Sequence, residues 1–278
     1  MIPNIFHFVF GMKPDFGGKP FNIVHYLAVK SAAELNRPDK MILHYQYEPT
    51  GEWFEKARPF LTLNKVVAPV EIHGNPLLHV AHQADIIRLQ VLFEQGGIYI
   101  DLDTISKRSL ESLRKFQFVI AKEYQPPVYY TYWDRVKTMI RLLRPAALYE
   151  QKQVFGLCNA VMLSEPGNKF LSLWLDSYKN FRSKGKDEYW VEHSVKVPFE
   201  LSKQYPDLLT ILEPEAFHYP GYDHKGLKWL FEKTQDFPKA YLHHLWETNA
   251  WEYLKNLDEQ KIKNQDNTYN LIARKFIK

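Results

Sequence analysis

Two aspartates separated by one residue, Asp101 and Asp103, end the stretch GGIYIDLDT (96–104). On a strand, residues two apart project from the same face, and Tyr99 shares that side one step earlier. Open parallel sheets bind ligands beyond the carboxyl ends of their strands. A carboxylate pair there suits a hard cation, because Mg²⁺ and Mn²⁺ take oxygen ligands, commonly one or two carboxylates with phosphate and water. A second pair precedes the first. In HQADIIRLQVLFEQ (82–95), Asp85 and Arg88 lie three apart and so share a helix face. A surface ion pair would contribute only ~0.2–0.5 kcal/mol. Ile86, Ile87, Leu89, Val91, Leu92 and Phe93 make this helix largely buried, however, and a buried helix that keeps an Asp and an Arg needs them for something. Late in the chain, His243 and His244 are neighbours on a strand, so only one of them can face a site.

The elements that must position these groups are legible from periodicity. Strands are expected at 5–10, 41–47, 65–72, 98–103, 117–123, 159–165, 208–214 and 240–246, and helices at 21–35, 82–95 and 166–181. Pro69 puts the 65–72 strand at an edge. Gly96 is a left-handed stop for the 82–95 helix, and Pro166 stands near the start of the next. Strands alternating with helices predict an α/β fold, a mostly parallel sheet flanked by helices. The segment 124–155 breaks the alternation and reads as a helical insert; its Tyr129, Tyr130, Tyr132 and Trp133 are candidates for an acceptor platform. Residues 253–278 read as a polar, helical tail of one domain spanning 1–278.

Bulk properties narrow the classes. Apolar residues make up 45% of the 278-residue chain and charged residues 24%, an ordinary globular mix, but aromatics reach 15%, as for a surface that meets sugars or bases. A net charge of +4 lacks the dense, grouped basic footprint of a nucleic-acid binder, so no nucleic-acid partner is expected. Such mild basicity suits an anionic substrate or peripheral contact with anionic lipid. The single cysteine, Cys158, excludes an intrachain disulfide and reads as a small buried hydrophobe. No apolar run reaches a membrane span, and MIPNIFHFVFG lacks the features of a signal peptide. The expectation is a cytoplasmic protein, with peripheral contact at an inner membrane surface.

The block ADIIRLQVLFEQGGIYIDLDT resembles the signature of the DXD-motif sugar transferases. That family includes fungal Golgi mannosyltransferases, capsular-polysaccharide sugar transferases and, more distantly, the glucosylating domains of large bacterial toxins. The helix with its A-D-x-x-R, the G-G-I-Y and the D-x-D occur in order. IPNIFHFVFG is similar to the family's opening strand, and HHLWETNAW to its closing His-containing motif. The resemblance covers roughly 1–105 and 156–252 and leaves 106–155 uncovered. It implies a GT-A-type, Rossmann-like fold, a nucleotide-sugar donor, a divalent cofactor (Mn²⁺ or Mg²⁺), and transfer with retention to a glycan, glycolipid or protein acceptor. By the same resemblance Asp103 is a direct metal ligand, Asp101 a more indirect one or a ribose contact, and His244 the third protein ligand. Asp85 and Arg88 hold the donor sugar's hydroxyls, Asn159 meets the sugar, Tyr99 packs by the donor, and His7, Phe8 and Val9 frame the base. Trp246 lies beside the diphosphate, and Glu192 and His193 are acceptor candidates.

This assignment agrees with the chemistry. Cleaving a sugar–phosphate bond leaves a nucleoside diphosphate with added negative charge, which a divalent cation stabilises. The oxocarbenium-like sugar favours a carboxylate nearby, such as Asp85. Two other readings fit parts of the pattern. IYIDLDTI imitates the first motif of haloacid-dehalogenase-type phosphatases, with Asp101 as nucleophile and Asp103 as acid/base. An aromatic-rich, non-catalytic carbohydrate-binding module is the other.

Overall fold

The computed structural model describes residues 1–124 and 154–277. The expected insert and its Tyr129, Tyr130, Tyr132 and Trp133 fall outside the described residues. The chain runs β1 (Ile5–Phe10), α1 (Ile23–Asn36), β2 (Lys40–Tyr45), α2 (Glu52–Ala57), β3 (Thr62–Lys65), the small hairpin β4 (Glu71–Ile72) and β5 (Asn75–Pro76), α3 (Val80–Gln95), β6 (Gly97–Ile100), β7 (Thr104–Ser106) and β8 (Phe118–Tyr124). It resumes with β9 (Val154–Ser164), α4 (Lys169–Ser177), α5 (Val197–Gln204), β10 (Thr210–Leu212), α6 (His224–Phe231), β11 (Leu242–His244), α7 (Glu247–Leu254), α8 (Glu259–Asn264) and α9 (Thr268–Ala273).

Seven strands form the central sheet in the order β10-β8-β9-β6-β1-β2-β3, and only β9 runs antiparallel to its neighbours. This is the mostly parallel α/β sheet the sequence predicts. The alternation of apolar side chains sorts its two faces. Phe6, Phe8, Ile98, Ile100, Val161 and Leu163 pack on one side with Ala28 and Val29 of α1 and Phe54 of α2. Tyr99, Ile120 and Met162 pack on the other with Ile86 and Leu89 of α3 and Phe170 and Trp174 of α4. Strand order reverses between β1 and β6, which are parallel neighbours. Such a switch point opens a crevice beyond the strand ends.

Three elements differ from expectation. The edge strand lies at Thr62–Lys65, paired with β2, and Pro69 falls in the loop after it, where its missing N–H matters little. β6 stops at Ile100, before the aspartates. The C-terminal segment is helical but not a solvated tail: Ile262, Tyr269, Ile272 and Phe276 are buried against Ile23, Val24 and Leu27 of α1. Among the described residues no helix is long and apolar enough to cross a membrane.

A line of neutral imidazoles crosses the sheet. Asn64 Nδ2 donates to His44 Nδ1 at 2.9 Å, His44 Nε2 lies 3.0 Å from His7 Nδ1, and His7 Nε2 lies 3.0 Å from the Gly96 carbonyl oxygen. One tautomer of each ring satisfies the whole series, with each Nε2–H donating. Burial pushes His7 down to about 4 and His44 to about 3, from an ordinary 6.5. The unfolded chain therefore binds protons below about pH 6.5 that the folded chain refuses until far lower pH, so stability falls as pH drops through that window. His7 alone contributes a loss on the order of 3 kcal/mol by pH 4. Melting temperature should fall steadily from pH 6.5 to 4; a flat profile over that range would contradict the buried neutral pair.

Candidate active site

The paired glycines make the turn that places everything after them. Gly96 and Gly97 have φ of 66° and 107°. A Cβ on Gly96 would sit 2.7 Å from the Pro166 ring, and one on Gly97 would sit 2.5 Å from the Ile5 carbonyl oxygen. Only glycine lets α3 turn back into β6 so close to β1. From Ile100 the chain leaves the sheet in a bend, held by the Asp101 N–H bond to the Ala160 carbonyl and by Thr104 Oγ1 donating to the Asp101 carbonyl at 2.8 Å. The two aspartates converge through this bend rather than through strand alternation.

Asp101 belongs to a network centred on Arg88. Arg88 Nη1 lies 3.2 Å from Asp101 Oδ1 and donates to the Asn159 carbonyl at 3.1 Å and to Asn159 Oδ1 at 3.2 Å. Its Nε lies 3.6 Å from Asp85 Oδ1, which accepts from Asn159 Nδ2 at 2.7 Å. The guanidinium rests over the Tyr99 ring, 4.5 Å from its centre, and Tyr99 Oη donates to Asp101 Oδ1 at 2.6 Å. Burial disfavours charge on Arg88, but Asp101, Tyr99 and Asp85 outweigh it, so the guanidinium is held charged. Burial raises the Asp101 carboxyl, Arg88 opposes that, and Asp103 adds to it. Asn159 arrives through an irregularity in β9: the register against β8 jumps from Ile120↔Met162 to Ala121↔Cys158, and Asn159, one of the residues skipped, meets Arg88 and Asp85 of α3.

Asp103 belongs to a second group. β11 pairs with β7, setting His244 opposite Thr104, and Leu245 N–H extends the pairing to the Asp103 carbonyl at 2.8 Å. His244 Nε2 then lies 3.3 Å from Asp103 Oδ2, which also accepts from the Glu247 N–H at 2.7 Å. Burial would raise Asp103, but the His244 imidazole and the Glu247 amide prevail and hold it well below the usual carboxylate range. For His244, burial lowers and Asp103 raises, with a net rise. One ligand atom from each of Asp101, Asp103 and His244 lies within 4.8 Å of the others. The two carboxylate side chains keep 24% and 17% of their surface open, so the cluster faces solvent on one side.

The other expected residues divide. Tyr99, Asn159, Asp85 and Arg88 join the cluster. His243 faces away, with Nδ1 3.2 Å from the Tyr219 carbonyl oxygen. His7 is not brought to the site, since both ring nitrogens serve the imidazole series, and the Phe8 side chain is fully buried in the core on the opposite face. Val9 is partly buried and packs against the α3 side of the sheet. The Trp246 ring lies tilted against that of His244, their centres 4.0 Å apart, and donates Nε1–H to the Pro220 carbonyl at 3.0 Å. It is only 8% exposed and buttresses the histidine rather than offering an open ring. Its backbone sits at φ 58°, unusual for a bulky residue and a strain typical of functional sites. Glu192 is bound by Arg182 and His193 by the Ser177 carbonyl, so neither is poised for an acceptor. The helix cap near His82 is His79, whose Nδ1 accepts from the Ala81 N–H.

Sequence reasoning missed Glu247, Glu123 and His218. Glu247 sits near His25 and Lys19, at 3.3 and 3.1 Å, behind Asp103. Buried Glu123 is pushed up to about 7 by desolvation, with Cys158 hydrogen-bonded to it. None of the three stands in a recognisable spacing; only Glu247, next to the H-L-W run, carried any signal.

Residues 26–119 match the family described as glycosyltransferase sugar-binding region containing DXD motif. The chain is 33% identical to glucan organizing enzyme 1 of Cryptococcus neoformans var. grubii, over all of its own length and 71% of that protein's. Solved structures with similar folds include mouse xyloside xylosyltransferase 1 (16% identity, TM-score 0.46, 88% of this chain and 98% of that one) and the glycosyltransferase GlyE of Streptococcus pneumoniae (14%, 0.48, 99% and 60%). The chain belongs to the DXD-motif glycosyltransferases. It is accordingly a sugar-transferring enzyme, and the Asp85–Arg88 pair, the glycine turn and the D-x-D lie within the matched residues, while the opening strand and the H-L-W run lie outside them.

Arg88→Ala would leave Asp101 and Asp85 buried without their counter-charge. Breaking a buried pair on one side costs about 3–5 kcal/mol. Chemical denaturation should show a loss of that size; a change below about 1 kcal/mol would contradict the hub role.

Proposed function

We propose that this glycosyltransferase uses a divalent cation, Mn²⁺ or Mg²⁺, to transfer a sugar from a nucleotide-sugar donor with retention, to a glycan acceptor. The observation that supports this most is the convergence of Asp101, Asp103 and His244 within 4.8 Å on a cluster open to solvent. Two carboxylates and an imidazole suit Mn²⁺, which accepts both oxygen and imidazole nitrogen. When bound, the cation would neutralise charge on the departing diphosphate.

The remaining work falls to side chains of this chain. Asp103, fixed by the Glu247 amide, keeps its carboxylate ionised and aimed at the opening. Arg88 holds Asp101 and Asn159 in place, and Asn159 in turn orients Asp85. A sugar lying over this group would meet Asp85 and Asn159 as hydroxyl partners, with the Asp85 charge favouring the electron-poor ring. Retention without a protein nucleophile requires the leaving diphosphate to take the acceptor's proton on the same face. The phosphatase alternative fits poorly, because the Asp101 carboxylate is engaged by Tyr99 and Arg88 rather than free to attack phosphorus. UDP-sugars are favoured as donors, with GDP-sugars second. A polysaccharide acceptor is favoured by the glucan named in its fungal relative.

A panel of UDP-, GDP- and CMP-sugars with Mn²⁺ should give nucleotide release from one base class. Asp103→Ala should reduce that release by about 10²-fold or more in protein that is still folded by its melting curve, the scale expected when a group stabilising developing charge is removed, with the melting temperature lowered by loss of the His244 and Glu247 contacts. Equal rates with EDTA, or full activity in the variant, would refute the metal role.

A further inference from the structure

Behind His244, on the side away from Asp103, lies a second group of metal-binding side chains. Cys158 of β9, His218 and His244 each offer a ligand atom within 4.8 Å of the others, and all three residues are buried, at 6%, 2% and 7% exposure. Among the described residues, neither ring nitrogen of His218 has a hydrogen-bond partner, and neither does Nδ1 of His244. The Cys158 carbonyl is the backbone group nearest to helping His218 keep a proton, without forming a proper hydrogen bond. An orphaned buried polar atom is costly, because it has given up its bonds to water and gained none in return. Three at one place, all on imidazoles beside a thiol, contrast with His7 and His44, where every ring nitrogen is paired. Glu123 adds a carboxylate hydrogen-bonded to the Cys158 thiol.

We infer that Cys158, His218 and His244 form a second metal site, specific for a thiophilic divalent cation such as Zn²⁺, beside the buried Glu123 carboxyl. Sulfur and imidazole nitrogen are the ligands Zn²⁺ takes tetrahedrally, at roughly 2.0–2.3 Å, whereas Mg²⁺ and Mn²⁺ do not seek a thiolate. Ligands at those lengths sit about 3.3–3.8 Å apart in a tetrahedron, so the three atoms must draw together on binding. On binding, the Cys158 S–H bond breaks, the sulfur lone pair goes to the cation and the proton leaves to solvent.

The two sites share one imidazole. A cation on His244 Nδ1 fixes the proton on Nε2, where it donates to Asp103, completing a carboxylate–histidine–zinc arrangement. The carboxylate site then loses its nitrogen ligand. Zn²⁺ bound behind His244 therefore opposes Mn²⁺ bound in front of it, and the opposition is reciprocal. This antagonism rests on the proposed cation site; the thiophilic site itself does not.

Co²⁺ substitutes for Zn²⁺ and gives a thiolate-to-metal charge-transfer band in the near ultraviolet. The chain has one cysteine, so with a phosphine reductant the band reports Cys158 alone. The full chain with one equivalent of Co²⁺ should show the band and lose it on adding Zn²⁺. Cys158→Ser should abolish it and His218→Asn weaken it at least tenfold in affinity, while Asp101→Asn retains it. Absence of the band in the wild-type protein, or its survival in Cys158→Ser, overturns the site. Zn²⁺ should also weaken Mn²⁺ binding at least tenfold in wild type and not in Cys158→Ser. Equal weakening in both would overturn the antagonism, and a Co²⁺ band without any Mn²⁺ binding would place the failure in the carboxylate site instead.

Discussion

Arg88 carries a permanent charge into a place where only 7% of the residue meets solvent. Nothing apolar can hold it there, so its surroundings must supply counter-charge and acceptors, and they come from separate parts of the chain. Asp85 shares its helix, Asp101 follows the glycine turn, and Asn159 comes from a distorted antiparallel strand. The Tyr99 ring closes the underside. Satisfying one guanidinium thus ties α3, β6 and β9 together at the switch point of the sheet and fixes the first aspartate of the pair.

The second aspartate depends on a different part of the chain. Asp103 is oriented by β11 and the start of α7, more than 130 residues later in sequence, through backbone pairing and the Glu247 amide. The C-terminal helices that cover α1 hold this edge in position. The candidate site is therefore a seam: an arginine-centred half and a histidine-centred half from the closing segment, meeting across the three residues from Asp101 to Asp103.

Much of this was legible in sequence because it rests on local rules. The apolar alternation of IFHFVF and GIYI, the period of α3 and the glycine stop each reflect a single element. The D-x-D, the D-x-x-R and H-L-W run also lie within short spans. What escaped depends on geometry that spacing does not encode. His7 was expected at the ligand and is instead bonded through both nitrogens, because strand alternation put it on the face opposite Phe6 and Phe8, where its ring meets that of His44. The convergence of Asp101 and Asp103 was anticipated for the wrong reason, since the strand ends at Ile100 and a bend does the work. His218 and Glu123 were invisible because nothing near them in sequence marks their approach to Cys158. The buried C-terminal helices were misjudged because their few apolar residues are diluted among polar ones but fall on one side.

The proposed function requires one divalent cation held by Asp101, Asp103 and His244 beneath a nucleotide. Electron paramagnetic resonance of Mn²⁺ tests this directly, since bound Mn²⁺ loses the six-line signal of the free ion. With a nucleoside diphosphate present, the wild-type chain should take up one Mn²⁺ per molecule, and His244→Asn should weaken that uptake at least tenfold. Uptake equal in wild type and in an Asp103→Asn, His244→Asn double variant would contradict it.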